Sequence, residues 1–344
     1  MNIAQKMPGR MEQEICEAPQ ALLRQADALA QPVAELARRL KRMEPGVVVT
    51  CARGSSAHAA AFAKHAIERH LGIPVAAAAP SIATVYHREL KLDGQLLLCI
   101  SQSGRSDDLI EQAKYARNAG ALTLALVNAD DSPLAQECEI VLPLCAGPEL
   151  SVAATKSFVA TLAAVLRIVA EWGNNDPLRA ALQRLPERVD AATKLDWRPC
   201  LQTLANSESM ITIGRGPTLS IARESALKLK ETCNLHAEGY SGAEFQHGPM
   251  ALVSEQYPVL MFVPGDEAAA PLLRLAEQLT AKNAALFTVS HDPPGLLPAL
   301  PTDQPEADAI CMIQSFYMTA VKLAKLRGID ADNPRHLQKV TRTI

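Results

Sequence analysis

Short, unbroken apolar runs alternate with amphipathic stretches along this chain, and the alternation occurs twice in register. In the first half, VVVTCA (47–52), QLLLCIS (95–101), ALTLALVN (121–128) and EIVLPL (139–144) have strand length and are apolar at most positions, so both of their faces must be covered. Amphipathic segments lie between them. AHAAAFAKHAIERHLG ends at Gly72 as a helix does, DSPLAQEC suits a short helix, and a long one runs from about 153 to 172. Such a βαβα order predicts a parallel sheet with helices on both faces. The pattern stops near 173–177, a polar helix follows to 194, and a second alternation opens at MITI (210–213). Gly54 of the RGSS turn then answers to Gly216 of RGPT, Ile100 to Val263 of VLMFV, ALTLALVN to ALFTVS, and Ser157-Phe158 to Ser315-Phe316. The expected fold is therefore α/β: two doubly wound, flavodoxin-like parallel-sheet domains in tandem, at 44–173 and 196–330. A helical lead-in (1–43) with helix starts at Pro19 and Pro32 precedes them, and a helical linker (174–195) joins them. A tail (331–344) follows a turn at Asp332-Asn333-Pro334-Arg335.

Composition narrows the function. A chain of 344 residues suffices for two separate cores. With 34 basic and 37 acidic residues and a formal net charge of -3, it has no electrostatic footprint for nucleic acid. No apolar stretch is long and uncharged enough to span a bilayer, and MNIAQKMPGRMEQEICEAPQ lacks the apolar core of a signal peptide, so a cytoplasmic protein with no membrane partner is expected. The eight cysteines sit mostly in apolar segments and never as C-x-x-C, which reads as reduced core residues rather than a disulfide framework or a zinc site. No metal ion or organic cofactor is expected.

The two copies differ at one loop. After LLLCI the first copy carries SQSGRS, in which Ser101, Gln102, Ser103 and Ser106 surround Gly104 and lead into a helix starting at Asp107. Hydroxyls, backbone N–H groups and the positive end of a helix suit a phosphate, while the same composition also suits an ordinary Ser-rich N-cap. The loop is neither a Walker motif nor a dinucleotide fingerprint. Ser55 and Ser56, following Gly54, stand ready to bond the same ligand. At the corresponding place the second copy holds PGDEA, which repels phosphate, so the first copy is expected to bind the phosphate and the second to react.

The reacting end is expected within 213–249. Glu224, Lys228 and Glu231 are spaced i, i+4, i+7 on one helix face, with Lys228 between the two carboxylates. On a solvated face such a ladder contributes roughly 0.2–0.5 kcal/mol per pair; beside a ligand, a carboxylate held by an ammonium can shuttle a proton. A loop bearing His236, Glu238, Tyr240, Ser241, Glu244, Gln246 and His247 is expected to follow. In the tail, Leu337 and Val340 offer apolar docking that would bring Lys339 to a carbonyl.

In order along the chain, RGSS, SQSGRSDD, VAATKSF, ALKLKE, HAE, QHGP and DNPRHLQKV resemble the tandem sugar-isomerase (SIS) domains of glucosamine-6-phosphate synthase. The resemblance covers essentially the whole chain. It implies two SIS domains, a homodimer, and a fructose 6-phosphate or glucosamine 6-phosphate site built from both halves. By it, Ser101, Gln102, Ser103 and Ser106 match the phosphate loop and Ser55 and Ser56 its hydroxyl-bearing turn, with Gly54 and Val152 beside the substrate. Glu231 matches the carboxylate that carries a proton between the sugar's first and second carbons, supported by Glu224 and Lys228. His247 matches a ring-opening histidine contributed by the neighbouring subunit, and Lys339 a lysine able to form an imine with the ketose. The synthase carries an N-terminal glutaminase, whereas this chain begins at the helical lead-in, so no built-in ammonia source is expected. That points to an isomerising glucosamine-6-phosphate deaminase, with a deglycase of 6-phosphorylated fructosamines or a glutaminase-less aminotransferase-type isomerase as alternatives. A sugar-phosphate sensor is the non-enzyme alternative, although such regulators pair the domain with a DNA-binding element not found here. Two departures, Arg53 in the first turn and Ala154 where the synthase pattern has a hydroxyl, bear on which sugar is taken.

Overall fold

A computed structural model describes residues 8–292 and 295–339. Helices α1 (Arg10–Cys16) and α2 (Ala18–Met43) come first. The first sheet holds β1 (Val48–Ala52), β2 (Val75–Ala77), β3 (Leu96–Ser101), β4 (Leu122–Val127) and β5 (Ile140–Pro143). Its helices are α3 (Gly54–Leu71), α4 (Ser81–Thr84), α5 (Asp107–Asn118), α6 (Pro133–Glu137) and the following α7 (Lys156–Trp172). Helices α8 (Asp176–Thr193) and α9 (Arg198–Ala205) lead to the second sheet of β6 (Ser209–Gly214), β7 (His236–Ser241), β8 (Pro258–Phe262), β9 (Ala285–Ser290) and β10 (Leu297–Pro298). It carries α10 (Thr218–Cys233), α11 (Ala269–Ala281) and α12 (Pro305–Leu326).

Strand order is β2-β1-β3-β4-β5 in one sheet and β7-β6-β8-β9-β10 in the other, with parallel pairing throughout. These are the same topology, so the repeat in the sequence is a repeat of the whole sheet. In each, the order reverses beside the first strand, and such a reversal opens a crevice at the carboxyl ends of the strands.

Continuous apolar strands arise because both faces are covered. All six residues of β3 are buried. Leu96, Leu98 and Ile100 face one apolar cluster, while Leu97 and Cys99 face another with Leu109 and Ala113 of α5. β8 repeats this division, with Leu260 and Phe262 on the inner side and Val259 and Met261 against Leu272, Leu275 and Leu279 of α11. The inner cluster runs unbroken through α2, α3, α7, α8, α10 and α12, so the two sheets share one central layer of helices.

Some expectations are corrected. Pro32 does not start a helix but lies inside α2. Leu22, Leu29, Val33, Leu36 and Leu40 are all buried along one stripe of that helix, and their burial outweighs the backbone bond that Pro32 cannot make. The segment after α10 is not a loop throughout, because His236–Ser241 forms β7, paired with β6 from Ser209↔His236 to Gly214↔Ser241. An edge strand with only one buried side chain lacks the apolar alternation by which strands are recognised. The short edge strand β2 is hidden in the same way. The long helix of the first half starts at Lys156 rather than near 153. Among the described residues no helix is long and apolar enough to cross a membrane, and all eight cysteines are free.

Candidate functional site

The crevice of the first sheet contains a cavity of about 310 Å3. Gly54, Ser55 and Ser56 after β1 form one wall of it, and Ser101, Gln102, Ser103 and Ser106 after β3 form another. Gly54 has φ +53 and Gly104 φ +62, conformations that favour glycine. A Cβ on Gly104 would fall 2.0 Å from the hydroxyl of Ser132, so the loop admits no side chain there. Ser101 Oγ accepts from the N–H of Gly104 at 3.1 Å and Ser103 Oγ from that of Arg105 at 3.3 Å, which shapes the loop. The residues that begin α3 and α5, Arg53 and Ser106, make no side-chain cap bond. The N–H groups of Gly54, Ser55 and Ser56 in α3 and of Asp107 and Asp108 in α5 are left available to an anion, while that of Leu109 donates to the Ser106 carbonyl at 3.2 Å. Arg53 adds a guanidinium at the same cavity, where its Nε donates to buried Asp108 at 2.7 Å.

Lys228 and Glu231 of α10 face these loops. The spacing in the sequence is realised, but on a buried face: the side chains of Glu224, Lys228 and Glu231 are 0%, 1% and 20% exposed. Lys228 donates to Glu231 and lies 3.4 Å from Glu224. Burial opposes the charge on Lys228, yet Glu224 and Glu231 outweigh it and hold the ammonium above its ordinary range. Burial likewise opposes ionisation of Glu224, but Lys228 and His58 override it and keep that carboxyl below its ordinary value. Glu224 does not line the cavity. It sits behind the wall, accepting from Ser55 Oγ at 3.1 Å and Tyr317 Oη at 3.2 Å, with His58 Nδ1 at 2.9 Å. Burial beside Glu224 raises the Tyr317 phenol well above its usual range.

The described part of the tail lines the cavity and is held by polar contacts at Asp332 and at Lys339. Asp332 accepts from the N–H groups of Arg10 at 2.8 Å and Met11 at 2.7 Å, capping α1. Lys339 Nζ donates to the Ser151 carbonyl at 2.6 Å and to Glu149 at 3.2 Å. Of the two residues expected to dock the tail by apolar contact, Leu337 lines the cavity and is 44% exposed, and Val340 lies outside the described residues. Val152 and Ala154 reach the cavity from the loop before α7. Glu149 braces that loop from within, accepting from the N–H groups of Thr155 and Ser157 at 3.0 and 3.1 Å, and Glu14 of α1 accepts from those of Leu150 and Ser151.

Apart from Glu224 and His247, the residues matched to the family's site converge on one cavity, while none of His236, Glu238, Tyr240, Ser241, Glu244 and Gln246 lines it. His247 is exposed, after a short 3-10 turn at Glu244–Gln246, and does not line the cavity of its own chain. Sequence reasoning missed His58, Tyr317, Glu149 and Ser151. A lone histidine in the alanine-rich start of α3 was the one available signal. Among the described residues the second sheet has no matching cradle: Asp266 and Glu267 of PGDEA contact Arg69 of α3 at 2.5 and 3.4 Å. Among the described residues no group of three or more His, Cys, Asp or Glu side chains is placed to hold a metal ion. The cavity thus brings hydroxyl-rich loops and a guanidinium together with a carboxylate–ammonium pair and the Lys339 amine.

Residues 44–170 and 203–298 match the SIS domain family. The glutamine–fructose-6-phosphate aminotransferase (isomerizing) of Zymomonas mobilis is 31% identical over 362 residues, which cover 96% of this chain and 58% of that protein. The chain thus spans little more than half the length of that relative. A Silicibacter pomeroyi DSS-3 structure, provisionally described as a phosphosugar isomerase, superposes with a TM-score of 0.91 at 44% identity, covering 94% of this chain and 100% of that one. The C-terminal domain of glucosamine-fructose-6-phosphate aminotransferase from Francisella tularensis gives 0.85 at 25% identity, covering 97% and 100%. The chain belongs to the SIS-domain family, with a SIS segment in each half built around one of its two parallel sheets.

Proposed function

We propose that this protein is a phosphosugar isomerase that deaminates glucosamine 6-phosphate, releasing fructose 6-phosphate and ammonia. The observation that carries the reading is the convergence of the hydroxyl-rich loops, Glu231 and Lys339 on one cavity. The 6-phosphate lies among Ser55, Ser56 and Ser101–Ser106, and the sugar's first two carbons lie toward Glu231. Glu231 takes the proton from the second carbon and returns one to the first, while a proton passes from the amine nitrogen to the first carbon's oxygen, turning the amino aldehyde into a ketimine; Lys228 keeps the carboxylate oriented. Lys339 supports the nitrogen chemistry: after passing a proton to Glu149, which lies 3.2 Å away, its amine adds to the ketimine carbon, ammonia leaves, and water hydrolyses the resulting imine to the ketone and the lysine.

The same reading pairs two copies of the chain. His247 lies outside its own cavity, and in a two-fold dimer it serves ring opening in the site of the other copy. The test is ammonia release from glucosamine, galactosamine and fructosamine 6-phosphates, with stoichiometric ketose phosphate from the active one. Absence of ammonia across all three overturns the deaminase reading.

A further inference from the structure

We infer that His58 is a positioning residue for Glu231, acting through Glu224 and Lys228 from a second cleft on a different face of α10. That cleft, about 310 Å3, is lined by His58 together with Arg223, Lys230, Glu238 and Tyr240. Arg223 and Lys230 lie off the helix face that carries Lys228 and Glu231, so α10 separates the cleft from the sugar cavity. The inference rests on the proposed role of Glu231.

The two oxygens of Glu224 are used unequally. Oε1 accepts from Ser55 and Tyr317 and lies near Lys228, whereas Oε2 has His58 Nδ1 at 2.9 Å. A carboxylate acceptor requires the proton on Nδ1, which sets the tautomer of the ring. Glu224 is fully buried, so an unserved Oε2 would draw in another donor. Lys228 is the charged donor at hand: already 3.4 Å from Glu224 Oε1, it can move closer only by loosening its bond to Glu231. By serving Oε2, His58 leaves the ammonium committed to Glu231.

The test compares His58→Ala, His58→Asn and His58→Gln. In Asn the amide nitrogen takes the place of Nδ1, while in Gln it lies one bond farther out. His58→Ala is expected to lower kcat about tenfold with KM for the sugar phosphate within about twofold, because the phosphate loops are untouched. His58→Asn restores kcat to within about threefold of the native protein and His58→Gln does not. The 15N resonance of the Lys228 ammonium, recorded without sugar, shifts in the Ala and Gln proteins and returns in Asn. Unchanged kcat and an unmoved Lys228 resonance in His58→Ala overturn the inference, as does equal loss in Ala and Asn. If the Ala protein fails to fold, equal behaviour of Asn and Gln overturns it. Should the native protein release no ammonia from any sugar, the deaminase reading fails alone, since the Lys228 resonance still reports the His58 link.

Discussion

Replacing Lys228 with Met removes the ammonium between Glu224 and Glu231 while keeping an unbranched side chain. The loss falls mainly on Glu224, since Glu231 is 20% exposed and can turn to water, whereas Glu224 is fully buried. At 3.4 Å and an effective dielectric of about 20, the attraction between Lys228 and Glu224 is ~5 kcal/mol. Removing one partner of a buried pair typically costs about 3–5 kcal/mol, and Ser55, Tyr317 and His58 still serve the carboxylate, so about 3 kcal/mol is expected at pH 7. The sign with pH follows from the lowered pKa of Glu224. The stabilisation is complete above the ordinary carboxylate value and is lost as pH falls through the lower folded value. The deficit of Lys228→Met is therefore largest near neutrality and closes in acid. Urea unfolding of the native protein and the variant, followed by fluorescence of buried Trp172 and Trp197 across that pH range, measures it. A double variant with Glu224→Gln is expected to be more stable at pH 7 than Lys228→Met alone. A deficit below about 1 kcal/mol, or one independent of pH, refutes the reasoning.

Glu231→Gln, which keeps the shape but not the proton carrier, is expected to lower turnover roughly a hundredfold or more with sugar-phosphate binding retained; steady-state kinetics beside calorimetric binding check both halves. Ser103→Ala with Ser106→Ala should weaken binding of phosphorylated sugar by about 1.5–3 kcal/mol for each charge-assisted bond lost, read by titration with an unchanged dissociation constant as the contrary result. For the shared site, Glu231→Gln and His247→Ala proteins are unfolded together and refolded as mixed dimers. Activity is expected to return toward about a quarter of native, since half the dimers are mixed and half their sites carry neither lesion. No recovery in demonstrated mixed dimers returns His247 to its own subunit.

The fold was legible because its strands are covered on both faces and because the pattern occurs twice. Gly54 and Gly216 could be matched from the sequence because each lies two residues beyond the first strand of its sheet, where the chain turns into a helix. The polar edge strand β7 looks like a loop in the sequence, because its hydrogen bonds to β6 leave no mark on side-chain pattern. At the cavity, residues packed into short motifs were visible: Ser55 beside Ser56, Ser101 to Ser106, and the Lys228–Glu231 helix turn. Those brought together only by tertiary packing were not. Tyr317 and His58 approach Glu224 from separate helices, and Glu149 meets Lys339 from the far end of the chain. Polarity along the sequence said that Glu224, Lys228 and Glu231 share a face, but not that this face is buried.

The acidic loop after β8 also bears on ancestry and modularity. Where its twin in the first sheet presents hydroxyls, this loop presents Asp266 and Glu267 to Arg69, while buried Glu306 of the second half has His70 of the first at 3.0 Å. Duplication made two equivalent crevices, and the one not lined with hydroxyls supplies carboxylates that fasten the halves together. The halves have thereby ceased to be interchangeable modules. Grafted onto a partner lacking Arg69 and His70, the second half would carry a carboxylate cluster with no counter-charge, so the two halves are expected to be inherited, and to recombine, only as a unit.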